Sequence, residues 1–206
     1  FFADFDGLSG IVKAGKWTGM PGFRYQTVRF HELAGKTVGI YGCGAIGEAF
    51  GQMCRSFGMR VLGTRRSKRS GEESGIAYVT PDELLAESDV VSLHCPLTDE
   101  TRGMVDREFI GHMKAGAILI NTSRGAVLDE SAVADALNDG RLGGAGLDVL
   151  AKEPADGANP LLSAKNAVIT PHCAWTTPEA RLRLIDILDR NLAAFAKTGA
   201  GIHRVL

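Results

Sequence analysis

The chain has 206 residues, 45% of them apolar and 23% charged, and its 23 basic residues nearly balance its 24 acidic ones, leaving a net charge of −1. That composition suits a globular protein with one sizeable core and supplies no long-range attraction for nucleic acid or an anionic membrane surface. No stretch approaches the roughly 20 apolar residues that span a bilayer, and the opening FFADFDG has neither the basic end nor the small-residue cleavage site of a signal peptide.

A short helix is expected near Ser9 to Lys13, followed by GKWTGMPGFRYQTVRF, a Gly-, Pro- and aromatic-rich stretch that cannot bury itself as one element. It reads as a surface arm, reaching a partner subunit or lying as an ordinary ordered loop. From Lys36 onward, apolar runs alternate with helical patterns. In order they are KTVGIYG, a helix from Ala45 to Phe57, MRVLGT, a helix from Pro81 to Glu87, DVVSLHC and AGAILINTS. After these come a helix from Glu130 to Asp139, the run GGAGLDV, a loop from Leu150 to Pro160, the strand NAVITPH and a helix from Pro178 to Lys197. This is the βαβ rhythm of an α/β fold, a doubly wound parallel sheet with helices on both faces. The four cysteines, Cys43, Cys54, Cys95 and Cys173, lie far apart with no CxxC pair and no histidine at zinc-ligand spacing. Neither a disulfide framework nor a metal site is expected, and free thiols suit a cytoplasmic protein. The chain opens on Phe1 rather than Met, so its true N-terminus is expected to lie upstream.

The strand KTVGIY runs into Gly42-Cys43-Gly44-Ala45-Ile46-Gly47 and then directly into a helical pattern. In that context GxGxxG means a dinucleotide-binding turn of the Rossmann type. The first Gly permits the tight turn, the second admits a pyrophosphate close to the backbone, and the third lets the helix pack on the strand, while the helix N-terminus offers unpaired N–H groups. NAD-specific folds place an Asp or Glu about 20 residues on, to accept from the ribose hydroxyls. Here Thr64, Arg65, Arg66 and Ser67 stand instead, cations and hydroxyls able to grip a 2′-phosphate. NADP(H) is therefore favoured over NAD(H); the alternative is that Arg65 and Arg66 form a solvated run with Lys68 and Arg69.

Three segments at strand ends each present a residue that hydride chemistry on a keto acid requires: Arg124 in NTSRG, Glu153 in LDVLAKEP and His172 in ITPHCAW. Their joint placement on the carboxyl-end loops of an open α/β sheet, where such folds bind ligands, makes them the candidate catalytic set.

These segments and others in the same order, ELAGKTVGIYGCGAIG, ESDVVSLHCPLTDETRGMV, MKAGAILINTSRGAVLDESAVADAL, GGAGLDVLAKEP and NPLLSAKNAVITPHCAW, resemble the D-isomer-specific 2-hydroxyacid dehydrogenases over essentially the whole chain. The resemblance implies that Arg124 pairs with the substrate carboxylate, that His172 gives a proton to the carbonyl oxygen as hydride arrives, and that Glu153 orients the imidazole and favours its charged form. It further implies that Cys95 and Pro96 sit against the cofactor, that Thr122 and Ser123 place backbone beside the nicotinamide, and that Asp148 contacts the carboxamide. Cys95 and Asp148 also read as strand-end packing, and His94 and His112 as structural.

Cys-Ala-Trp after His172 looks like the glycerate dehydrogenase and hydroxypyruvate reductase branch, where phosphoglycerate dehydrogenases have Gly-Ala-Ser, and Glu153 argues against the formate dehydrogenases, which carry Gln there. The resemblance implies three parts. They are an interdomain helix and dimerisation arm over residues 1–30, the dinucleotide-binding domain over 31–173, and a C-terminal helix over 174–206 returning to a flavodoxin-like substrate domain whose N-terminal portion is missing. Leu182, Ile185, Leu188 and Leu192 on that helix are then expected to be left partly exposed. Hydroxypyruvate or glyoxylate is the expected substrate, another small D-2-hydroxy acid the main rival, and a nucleotide-dependent, redox-sensing corepressor the alternative from another class. A homodimer is expected, because the family pairs through the cofactor domain and Trp17, Phe23, Tyr25 and Phe30 offer apolar surface.

Overall fold

The computed structural model describes residues 5–18, 31–66 and 70–203. After the helix α1 (Phe5–Lys13), the strand β1 (Thr37–Tyr41) leads through the Gly-rich turn into α2 (Ala45–Ser56), and β2 (Arg60–Thr64) follows. A small hairpin, β3 (Gly71–Glu73) and β4 (Ile76–Tyr78), precedes α3 (Pro81–Glu87) and β5 (Val90–Leu93). Then come α4 (Arg107–His112), β6 (Ala117–Asn121), α5 (Glu130–Asn138), β7 (Leu142–Leu147), β8 (Ala167–Ile169) and α6 (Pro178–Thr198). The strands form one sheet in the order β3-β4-β2-β1-β5-β6-β7-β8. Every pairing is parallel except the β3–β4 hairpin at the edge.

The apolar runs become central strands because a parallel sheet is covered on both faces, so that most residues of β1, β2, β5, β6 and β7 are buried whichever way they point. Val38, Ile40, Val61, Val90 and Ile118 meet Cys54 of α2 on one face. On the other, Leu62, Val91, Leu93 and Leu119 pack with Leu84, Ile110, Val133 and Leu137 of α3, α4 and α5. The helix starts are equally local in origin. Thr80 and Glu83 form a capping box at α3, each side chain satisfying the other's backbone N–H. Asp129 caps α5 by accepting from Ser131 and Ala132, and Thr177 caps α6 by accepting from Ala180.

The expected doubly wound α/β sheet is thus the observed one, with two additions. The β3–β4 hairpin has three-residue strands too short for a periodic signal, joined through Ser74 and Gly75, both at positive φ. The six-residue α4 begins at Asp106, whose side chain accepts from Phe109. NAVITPH contributes a strand of only three residues. The surface arm lies outside the described residues beyond Thr18, including Phe23, Tyr25 and Phe30, as do Ser67, Lys68 and Arg69.

The described residues fall into two compact units, the first ending at Ile169 and the second beginning at Thr170. Within the second, α6 has no buried residue, and Leu182, Ile185, Leu188 and Leu192 are all more than half exposed. Among the described residues no helix is long and apolar enough to cross a membrane.

Candidate active site

The sheet's carboxyl end holds a cavity of about 830 Å³ in the first unit. Its floor is the Gly-rich turn. Gly42 has φ +86°, and a Cβ there would lie 2.7 Å from the Cys95 backbone nitrogen, so only glycine lets the β1 and β5 ends approach this closely. A Cβ on Gly47 would meet Ile40 at 2.8 Å, whereas one on Gly44 would meet nothing within 4 Å. The turn is therefore tight beneath and open above. Gly44 is the N-cap of α2 and makes no side-chain cap hydrogen bond, so the exposed first turn at Ala45 and Ile46 is left without a side-chain cap, the feature by which helix starts accept anions.

At the end of β2 the side chains are more committed than their types suggest. The Thr64 hydroxyl accepts from the Gly42 N–H at 3.2 Å, and the Thr64 carbonyl accepts from the Cys43 N–H at 2.7 Å. Arg65 donates through Nε to the Cys43 carbonyl at 2.8 Å, pairs through Nη2 with Glu48, and lies over the Tyr78 ring at 5.7 Å. Arg66 extends its guanidinium to within 3.9 Å of Glu100 and remains largely exposed. Burial and the hydrogen bond it donates to the Cys43 thiol push the Tyr78 phenol up to about 12, so it stays neutral beneath Arg65. Burial likewise raises the Cys43 and Cys95 thiols, which makes them packing groups rather than nucleophiles.

Of the expected cofactor residues, Gly42, Gly44, Thr64, Arg65, Arg66, Cys95 and Pro96 line this cavity. Sequence reasoning missed Val79, Thr80, Glu100, Thr101 and Met104, which line it too. They follow the undetected hairpin or sit in the β5–α4 connection, where no periodicity points inward. His94 also lines it, with Nε2 2.9 Å from the Ser92 hydroxyl and its ring against Phe50; burial pushes its imidazole down and keeps it neutral.

The other candidates stand at the ends of β6 and β7. Asn121, fully buried, organises the NTSRG turn. Its Oδ1 accepts from the Ser123 N–H at 3.0 Å and hydroxyl at 2.8 Å, and its Nδ2 donates to the Arg124 carbonyl at 3.0 Å. Thr122 and the Arg124 side chain are exposed, and Arg124 Nη1 donates to the Ser123 carbonyl. Asp148 is buried, and its N–H donates to the Asn121 carbonyl at 2.9 Å, joining the two strand ends. Glu153, exposed on the following loop, accepts from the Leu150 N–H at 3.0 Å through Oε1. The Arg124 and Glu153 turns touch through backbone, for a Cβ on Gly125 would fall 1.9 Å from the Leu150 carbonyl carbon. His172 belongs to the second unit, where it holds a left-handed φ of +50° and donates its N–H to the Thr170 carbonyl at 3.0 Å. That conformation is uncommon for a residue with a Cβ.

A parallel sheet with a Gly-rich turn feeding an uncapped helix defines a dinucleotide-binding domain. The class of chain that carries it follows from comparison: residues 4–174 match the family model of the D-isomer specific 2-hydroxyacid dehydrogenase NAD binding domain, and the chain belongs to that family. It is 46% identical over 188 residues to a hydroxypyruvate reductase of Blautia hydrogenotrophica, covering 91% of this chain and 58% of that protein. With a glycerate dehydrogenase of Methylorubrum extorquens it shares 40% identity over 186 residues, covering 89% and 57%. Among solved structures, a glyoxylate reductase from Paecilomyes thermophila superposes with a TM-score of 0.82 at 35% identity, covering 96% of this chain and 58% of that one. An acyclic imino acid reductase in complex with NADPH and D-Arg superposes with a TM-score of 0.84 at 32% identity, covering 98% and 62%. The chain thus spans somewhat under two thirds of the length of these relatives.

The residues present fit a nicotinamide dinucleotide. The Gly44 position is open where a pyrophosphate must approach, the α2 N-terminus is uncapped, and the cavity walls continue from the turn to the two arginines at the end of β2.

Proposed function

We propose that the full-length protein is an NAD(P)-dependent D-2-hydroxyacid dehydrogenase that reduces hydroxypyruvate to D-glycerate, or glyoxylate to glycolate. The observation that carries this reading is the interlock of the Arg124 and Glu153 turns through Gly125, at the same sheet end as the Gly-rich cavity. The relatives' names, hydroxypyruvate reductase, glyoxylate reductase and glycerate dehydrogenase, favour these substrates. When bound, the nicotinamide supplies or takes up the hydride.

The chain's own residues do the rest. Arg124 pairs with the substrate carboxylate and polarises the C2 carbonyl, fixing the keto acid in one orientation. His172 donates a proton to the carbonyl oxygen during reduction and accepts it in the reverse direction. Glu153 is the carboxylate of the proposed catalytic set, the charge type that favours the protonated form of a base. Gly42, Gly44, Ala45, Ile46 and Gly47 would hold the pyrophosphate, Cys95 and Pro96 would wall the cofactor, and Thr122, Ser123 and Asp148 would take its nicotinamide end.

NADP(H) is the favoured cofactor and NAD(H) the alternative, because two guanidinium groups stand at the end of β2 where NAD-specific folds carry a carboxylate. Glu48 and Glu100 already share that charge, which moderates the preference. Arg65→Asp tests it: NADPH affinity falls about tenfold or more while NADH affinity holds, and an unchanged NADPH affinity rejects the assignment. A homodimer in the cytoplasm completes the reading. It is supported by the exposed Trp17, Met53 and Phe57 and by four cysteines that form no disulfide. A concentration-independent monomer in sedimentation would remove the dimer.

The deciding experiment follows NADPH and NADH oxidation by the full-length protein with hydroxypyruvate, glyoxylate and pyruvate, beside His172→Ala. Rapid turnover of hydroxypyruvate that the variant abolishes is the expected result. Tight cofactor binding without turnover of any keto acid replaces the enzyme by a nucleotide-sensing module.

A further inference from the structure

The loop that carries Glu153 has little packing to hold it: every residue from 151 to 158 is exposed. Both of its ends are nevertheless gripped by one carboxylate. Glu130, the first residue of α5, accepts from the Ala151 N–H at 2.8 Å through Oε1 and from Asn159 Nδ2 at 2.9 Å through Oε2. Asn159 cannot turn its amide over without loss, because its Oδ1 accepts from the Leu161 N–H at 3.0 Å and so caps the turn Pro160–Ser163, whose Leu161 is buried in the core. Gly125, next to Arg124, packs against the Leu150 and Ala151 backbone, so the peptide that Glu130 holds is the one on which the Arg124 turn rests.

From this geometry we infer that Glu130 is a positioning residue: its carboxylate clamps both ends of the Leu150–Pro160 loop to α5 and so fixes where Glu153 stands relative to the Arg124 turn. The inference rests on the catalytic reading of Glu153 given above. A carboxylate in the first turn of a helix is also favoured by the helix dipole, but that preference is met by a solvated side chain and does not require both oxygens to be spent on a distant loop.

The test compares Glu130→Ala, Glu130→Gln and Glu153→Gln in the full-length protein. The measurements are kcat and KM for hydroxypyruvate across pH, the NADPH dissociation constant and the thermal midpoint. Glutamine keeps an acceptor for Ala151 but presents an amide N–H₂ to the donor of Asn159, so it breaks half of the clamp without removing bulk. Glu130→Ala is expected to lower kcat about ten- to a hundredfold, as displaced catalytic groups do, and to move the alkaline limb of the kcat profile in the same direction as Glu153→Gln. Glu130→Gln gives an intermediate effect, and NADPH binding is unchanged. If the Glu130 variants lower only the thermal midpoint, with kcat and its pH profile intact at 25 °C while Glu153→Gln shifts them, the positioning role is overturned and the role of Glu153 survives. If Glu153→Gln itself leaves the profile where it was, the catalytic reading of Glu153 falls, and this inference with it.

Discussion

The two ends of the candidate site are built in opposite ways. At the cofactor end, Gly42, Thr64, Arg65 and Cys95 are tied to one another by backbone contacts, hydrogen bonds and burial, so the cavity is shaped by the same interactions that hold β1, β2 and β5 together. At the proposed substrate end, Arg124 and Glu153 are exposed side chains on turns whose backbone is fixed by other residues, Asn121 and Glu130. The difference separates two kinds of site. A pocket for a cofactor can double as core, whereas Arg124 and Glu153 are exposed side chains whose turns are held through their backbone.

Mutations sharpen that contrast. The largest expected effect is on activity alone. Arg124→Ala in the full-length protein should lower kcat/KM by about two to three orders of magnitude, the size expected when a carboxylate loses its charged partner. Its unfolding free energy should stay within about 0.5 kcal/mol of the parent, since the side chain is exposed. Steady-state kinetics beside chemical denaturation checks both halves. Leu119→Ala is the opposite case. It opens a cavity between β6 and the helices packed on it and should cost about 2–5 kcal/mol in denaturation, with activity per folded molecule little altered.

Gly42→Ala breaks the separation, because there the core and the cofactor turn are one structure. The positive φ and the clash with Cys95 should cost about 1–3 kcal/mol and weaken nucleotide binding together; loss of one without the other would show that the two are separable. The smallest effect lies at the amino end of the sheet. Burial raises the Asp89 carboxyl, but the Thr37 N–H and Lys114, both bonded to it, outweigh burial and hold it below its ordinary value. Its stabilisation is therefore complete above the unfolded carboxyl value near pH 4 and is lost as pH falls through the lower folded value. Asp89→Ala should cost about 1–2 kcal/mol at neutral pH and nothing below that window, as denaturation at pH 7 and in strong acid will show, without any change in the pH profile of turnover.

Much of this was legible in the residues. The run KTVGIY before Gly42 and the helical pattern after it located the nucleotide turn, and the helix expected from Pro81 to Glu87 is α3, whose start is fixed by a Thr80–Glu83 capping box that needs no tertiary partner. The hairpin β3–β4 and the cavity residues Val79 and Thr80 beside it were not legible, because three-residue strands carry no period and their pairing is made across the sheet.

What the sequence by itself determined is everything local or periodic: the alternation of buried strands and helices, the glycine turn, the caps, and the chemical types at each strand end. Only the tertiary structure decided which partners those types take. Arg65 and Arg66 read as free cations in the chain, yet folding gives Arg65 to Glu48 and the Cys43 carbonyl and brings Arg66 near Glu100. Glu130 entered the sequence analysis only as the start of a helix, yet folding spends both its oxygens on a loop 21 and 29 residues away. The reason is physical. Propensity and periodicity act through neighbours in sequence, whereas charge pairing and hydrogen bonding act through space, and space is set only once the sheet has formed.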